Sequence, residues 1–259
     1  MTATIFARTR HVYDSYVDFW RVVELSGYDT CYIDEIDAAG DALYIIPTLN
    51  GEVGAGWPGA RARIVHWNLE WCEYPAVAGV DERWHMDASF AARGGMRYVP
   101  VGGHAGLIGS GMVVGDAAPI DLAYMGYMTG RRQAMAAQFD ANALSRTPTS
   151  VWDDARHEML MRSTVYAHVH QHDDAISQGV PALRMIVAAA YRMPMVCERV
   201  ADRGIFNPST MVQADFNGMA NVTRMLVRDR RDSLHDYGMA LHWLLCREHT
   251  FRRVIEAAL

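Results

Sequence analysis

Asp41-Ala42-Leu43-Tyr44-Ile45-Ile46-Pro47-Thr48-Leu49 is a continuous apolar run, entered from one carboxylate and left at Asn50-Gly51. It does not alternate polar with apolar, so it predicts a strand over 42–49 that is buried on both faces, as in a parallel sheet covered by helices. Upstream, Thr2 to Ala7 reads as a short strand. Tyr13 to Leu25 carries Tyr16, Phe19, Trp20 and Val23 at helical spacing, Gly27 stops that helix, and Thr30 to Ile33 is a second strand. Arg63 to Leu69, Trp84 to Ala88 and Met96 to Val101 follow as further strands between Gly and Pro punctuation. The first hundred residues therefore predict one α/β unit.

The glycine-rich stretch Gly102 to Gly115 reads as a linker, after which the rhythm restarts. Leu122 to Tyr127 predicts a strand and Arg131 to Asn142 a helix. Val165 to Val169 predicts a strand, Pro181 to Arg192 a helix opened by proline, and Met195 to Glu198 a strand. Asp215 to Leu259 reads as helices throughout, with apolar stripes at Leu241, Leu244, Leu245 and at Phe251, Val254, Ile255. This is a second α/β unit with a helical tail.

The 259 residues are 51% hydrophobic and 21% charged, enough to bury a real core in one large domain or two small ones. All 24 basic residues are Arg, and a net charge of -6 argues against a generic nucleic-acid coat without excluding a local Arg groove. Cys31, Cys72, Cys197 and Cys246 form no C-x-x-C pair and are expected to be reduced. No leader-like apolar segment and no bilayer-length run occurs, so the expectation is a cytoplasmic protein without a membrane span.

Four groups of residues carry candidate chemistry. In open α/β sheets, ligands lie beyond the carboxyl ends of the strands. Gly126, the Arg131-Arg132 pair, His170-Gln171 and the Ser177-Gln178-Gly179 turn occupy such ends, and two Arg at a helix start can clamp a diphosphate; a solvated Arg pair is the plain alternative. His168, His170 and His172 share a strand face and are an alternative zinc set, which leaves a metal-dependent hydrolase open. His11, Asp14 and Glu52, with His66 and Glu70 behind them, are candidate bases or acceptor contacts at strand ends of the first unit. Arg184, inside an alanine-rich helix, and Glu198, at the end of a buried strand, are the remaining polar residues that need a reason. Trp67, Trp71 and Tyr74 read as core before they read as a stacking platform. No G-x-G-x-x-G and no P-loop motif occurs.

The runs Asp121-Leu122-Ala123-Tyr124-Met125-Gly126-Tyr127-Met128-Thr129-Gly130-Arg131-Arg132, Ser163 to Gln171, and Pro181-Ala182-Leu183-Arg184 through Pro194-Met195-Val196-Cys197-Glu198 together resemble the donor half of GT-B-fold glycosyltransferases. Tyr44 to Glu52 and Arg97 to Gly102 fit the first half, and the resemblance extends to the short glycosyltransferase-like proteins of phages and spore-coat gene clusters. It implies two Rossmann-like domains facing across a cleft: an acceptor-side domain over 1–112, a nucleotide-sugar domain over 113–235, and a C-terminal helix over 236–259 crossing back. By that pattern Gly126, Arg131, Arg132, His170, Gln171, Arg184 and Glu198 are donor contacts. A UDP-sugar is the first co-substrate, with no metal or other cofactor. The family's ribose-binding helix Glu is replaced here by Met185-Ile186-Val187, which passes ribose recognition to Glu198. The phage likeness suggests a 5-hydroxymethylpyrimidine of DNA as acceptor, met by Arg8, Arg10 and the run Arg224 to Arg231. A non-catalytic binding module of the same fold is the third alternative.

Overall fold

The computed structural model describes residues 2–10, 17–48, 56–69, 77–107, 119–148, 151, 153–170, 181–200, 204–205, 210–229 and 231–259. The chain divides into two compact units, Met1–Val101 with Phe251–Leu259, and Gly102–Thr250. The second break falls at 250/251, so residues 236–250 belong to unit 2 and only the last helix joins unit 1.

Unit 1 is built on β1 (Thr4–Arg8), β2 (Asp29–Tyr32), β3 (Leu43–Thr48), β4 (Arg63–Asn68), β5 (Glu82–His85) and β6 (Arg97–Tyr98). They form one sheet in the order β2-β1-β3-β4-β5-β6 with every pairing parallel. All six residues of β3 are buried, as the run over 42–49 predicts. Pro47 is tolerated in this central strand because the β1 ladder on β3 ends at Ile45, so its missing N–H removes no bond on that side. One face carries an aromatic cluster. Phe251, the first residue of the last helix, lies 5.4 Å from Phe6, 5.8 Å from Phe19 and 6.0 Å from Trp67 by ring centroids. Two arginines satisfy carbonyls that helices leave open at their C-termini. Arg97 donates to the Ala258 and Ala257 carbonyls, and Arg252 donates to the Ser26 carbonyl beyond helix α1 (Val17–Leu25) at 2.6 and 3.0 Å.

Trp84 to Ala88 is not one strand. β5 stops at His85, Asp87 caps helix α2 (Ala88–Gly94) by accepting from the Ser89 and Phe90 amides, and Gly95 closes it at φ 60°. His66 and Trp67 lie in β4, and Trp67 is core, fully buried with its indole N–H donating to the Val99 carbonyl. Glu70, Trp71 and Tyr74 lie outside the described residues.

Unit 2 has β7 (Ile120–Ala123), β8 (Ser163–His168), β9 (Met195–Glu198) and β10 (Val212–Ala214), all parallel, in the order β10-β9-β8-β7. Helix α3 (Gly130–Ala141) leads from β7 to residues 145–147, which bridge β7 on its far side through Leu122 and Arg146. Helix α4 (Asp153–Met161) then returns the chain to β8 on the near side. The connection reverses direction at β7, so the β7/β8 edge is a topological switch point, where open parallel sheets bind ligands. Helix α5 (Ala182–Ala190), joining β8 to β9, is buried along nearly its whole length. Helices α6 (Met219–Asp229) and α7 (Arg231–Trp243) and a π turn over Leu244–Glu248 lead to α8 (Phe251–Ala258) of unit 1. α4 and β10 are elements the sequence reading does not predict. The stretch read as a linker is tied down where it is described, since the Gly103 amide donates to the Leu245 carbonyl at 3.0 Å.

Candidate functional site

The carboxyl edge of the unit 2 sheet collects Gly126, Arg131, Arg132, His170, Arg184 and Glu198. Gln171 lies outside the described residues, as do His172, His11, Asp14 and Glu52. Thr129 caps α3, accepting the Arg132 amide at 3.4 Å, which places two arginines in the helix's first turn beside the switch point.

Those two arginines face different surroundings. Arg131 meets both oxygens of Glu198, one at 2.5 Å, and lies 4.1 Å over the Phe216 ring. Glu198 also accepts the His170 amide at 3.0 Å, and the His170 Nε2–H donates to the Arg199 carbonyl at 3.0 Å. Burial lowers the His170 pKa despite the opposing pull of that carbonyl and of Glu198. Arg131 and Glu198 line a cavity of about 770 Å³ with Ala134, Arg199, Asp215, Phe216 and Asn217. The sequence does not single out Phe216 and Asn217; the only signal is their position just past a strand three residues long.

Arg132 is buried and bridges the two loops of the switch point. Its Nε donates to the Val169 carbonyl at 3.0 Å and its Nη1 to the Tyr127 carbonyl at 2.9 Å. Burial, reinforced by Arg184, pulls its pKa down to about 10, so it remains a cation at neutral pH. Half-buried Arg184 rises from the first turn of α5 and places Nη1 2.6 Å from Nδ1 of His168. Both guanidinium groups converge on Gly126. A Cβ there would lie 2.7 Å from the Arg184 Nη2 and 3.6 Å from the Arg132 Nη1, and φ of +118° already favours glycine. Among the described residues no carboxylate pairs with Arg132 or Arg184.

The edge therefore offers, among the described residues, a pair of cations without a carboxylate partner at β7/β8 and a neutralised, aromatic-backed cavity at β9/β10. Three strand spacings, about 14 Å, separate β7 from β10. A phosphate-bearing ligand with a planar, hydroxylated body matches that sequence of surfaces. The zinc alternative fits less well: Nδ1 of His168 is occupied by Arg184, and Arg132 and Arg184 bring positive charge where a cation would sit.

No family model matches the chain, and no curated protein is similar to it. Among solved structures it is similar to the crystal structure of AviGT4, a glycosyltransferase involved in avilamycin A biosynthesis. The match covers 98% of each chain with a TM-score of 0.61 at 11% identity. That likeness shows a shared α/β fold of parallel sheets.

Proposed function

We propose that this chain is a glycosyltransferase that takes a sugar from a nucleoside diphosphate, with unit 2 holding the donor and unit 1 serving the acceptor in a GT-B-type arrangement. The observation that carries the reading is the convergence of Arg132 and Arg184 on the Gly126 backbone, where among the described residues no carboxylate pairs with either. The AviGT4 fold likeness supports it.

In the transfer, the bond from the anomeric carbon to the diphosphate oxygen breaks and a bond from that carbon to the acceptor oxygen forms. The acceptor proton passes to a base, for which His11, Asp14 and Glu52 stay the candidates. Negative charge grows on the departing diphosphate, where oriented cations stabilise it more than they stabilise the bound donor. Arg132 and Arg184 supply that charge without a metal, while Glu198 and the Phe216 face suit ribose and base.

Calorimetric titration with UDP and GDP tests this. The wild type is expected to bind at least one of them equally well with and without EDTA, and Arg184→Ala is expected to weaken it about tenfold, the weight of one charge-assisted hydrogen bond. Undiminished affinity in Arg184→Ala would remove the diphosphate assignment. The acceptor is the finer part of the reading: mass spectrometry of hydroxymethylcytosine DNA incubated with a panel of nucleotide sugars distinguishes a DNA acceptor, by its added hexose or pentose mass, from another hydroxyl.

A further inference from the structure

Two arginines of unit 2 are held by acceptors of opposite kinds. Arg131 is held by Glu198, and with side chains only 16% and 9% exposed the two charges cancel locally. Arg184 is held by an imidazole. His168, the last residue of β8, is 1% exposed and offers Nδ1 to the Arg184 Nη1 at 2.6 Å, which leaves its hydrogen on Nε2. Burial first, then the nearby Arg184, His170 and Arg132, keep its pKa well below the usual histidine value. The ring is neutral at pH 7 and takes a hydrogen bond without returning a negative charge.

The other side of the guanidinium lies against Gly126, where Nη2 fills the space a Cβ would need. A carboxylate in place of His168 would orient Arg184 equally well and neutralise it, as Glu198 does Arg131. An apolar residue would leave its charge and lose its direction. We propose that His168 is a positioning residue for the anion site: its imidazole accepts the Nη1–H of Arg184 and sets that guanidinium over Gly126 with its charge intact, so that an incoming phosphate meets a pre-oriented cation. This rests on the reading of that edge as a diphosphate site.

The test is calorimetric titration of the full chain with inorganic pyrophosphate and with UDP, across His168→Asn, His168→Leu, His168→Asp and Arg184→Ala, with thermal unfolding recorded for each. Asn places a neutral acceptor near the Nδ1 position and is expected to stay within about threefold of the wild type, whereas Leu and Asp are each expected to lose about tenfold, one by misdirecting the cation and one by cancelling it. If Leu fails to fold, the Asn and Asp pair decides alone, since both present an oxygen acceptor and differ in charge. Arg184→Ala weak, with Asp or Leu binding as the wild type does, overturns the inference and leaves the diphosphate site standing; Asn as weak as Leu does the same. A wild type that binds neither ligand, or an Arg184→Ala that loses nothing, overturns the site and the inference together.

Discussion

Glu198 is a carboxylate at the end of a buried strand, and it accepts from three donors: two nitrogens of Arg131 and the His170 amide. Removing one partner of a buried pair strands the other, which costs more than the pair itself contributes. Arg131→Met is therefore expected to destabilise the protein by about 3 kcal/mol, and adding Glu198→Met is expected to recover most of it. A double-mutant cycle in urea reads both. If Arg131→Met costs less than about 1 kcal/mol, the pair is closer to water than its exposure indicates. Much of this site is legible in the sequence: Gly126, the Arg131-Arg132 pair and Glu198 stand out as polar or flexible residues at or just past the ends of apolar strands, Arg184 stands out inside an alanine-rich helix, and they do come to one sheet edge. The partner of each is not legible. Alternation along an extended chain puts His168 and His170 on one side, but which atom Arg184 reaches depends on how far the first turn of α5 overhangs the strand.

Backbones meet closely where α7 crosses the loop between α5 and β9. A Cβ at Gly238 would lie 2.0 Å from the Arg192 carbonyl oxygen, a backbone atom with no rotamer to change. Arg192 itself stands at φ 53° to let the chain turn back toward Pro194. Gly238→Ala is expected to lower stability by about 3 kcal/mol, the upper range for overpacking, because one of two backbones must move; urea unfolding with an unchanged midpoint would show that α7 slides freely. The same contrast between side chain and backbone explains which elements the sequence reveals. β3 and β9 are short apolar runs bounded by charge at one end and by Asn-Gly or Pro at the other, so burial fixes their ends within a residue. α2 has clear signals, Asp87 as cap and Gly95 after it, but Trp84-His85-Met86 runs straight into them and the strand pattern hides the turn. α4 carries two aspartates, a glutamate, an arginine and a histidine in nine residues and has no apolar stripe to announce it. β10 has three residues and is defined by its pairing with β9, a partner no local pattern contains.

At the scale of the whole molecule, several buried histidines are held below their usual pKa, which makes stability sensitive to acid. In unit 1, His66 lies in β4 with its Nε2 bonded to the Thr48 hydroxyl, and burial, helped by Arg83, lowers its pKa to about 4. In unit 2, burial moves His168, His170 and His242 the same way. For each, the unfolded chain takes up a proton near pH 6.5 that the folded chain refuses, so stability is whole above that pH and falls as the pH drops toward the folded value. For His66 the window runs from about 6.5 to about 4 and the loss amounts to about 3 kcal/mol, at 1.36 kcal/mol per pH unit. Five of the seven tryptophans, Trp20, Trp57, Trp67, Trp71 and Trp84, lie in unit 1, so tryptophan fluorescence weights that unit. Followed this way, the urea midpoint is expected to decline steeply between pH 6.5 and 4.5. His66→Gln keeps a polar group for Thr48 but cannot titrate, so it should flatten that decline while lowering the midpoint at pH 7.5 only modestly. A variant whose midpoint tracks the wild type through the whole range would assign the acid response of unit 1 to other groups.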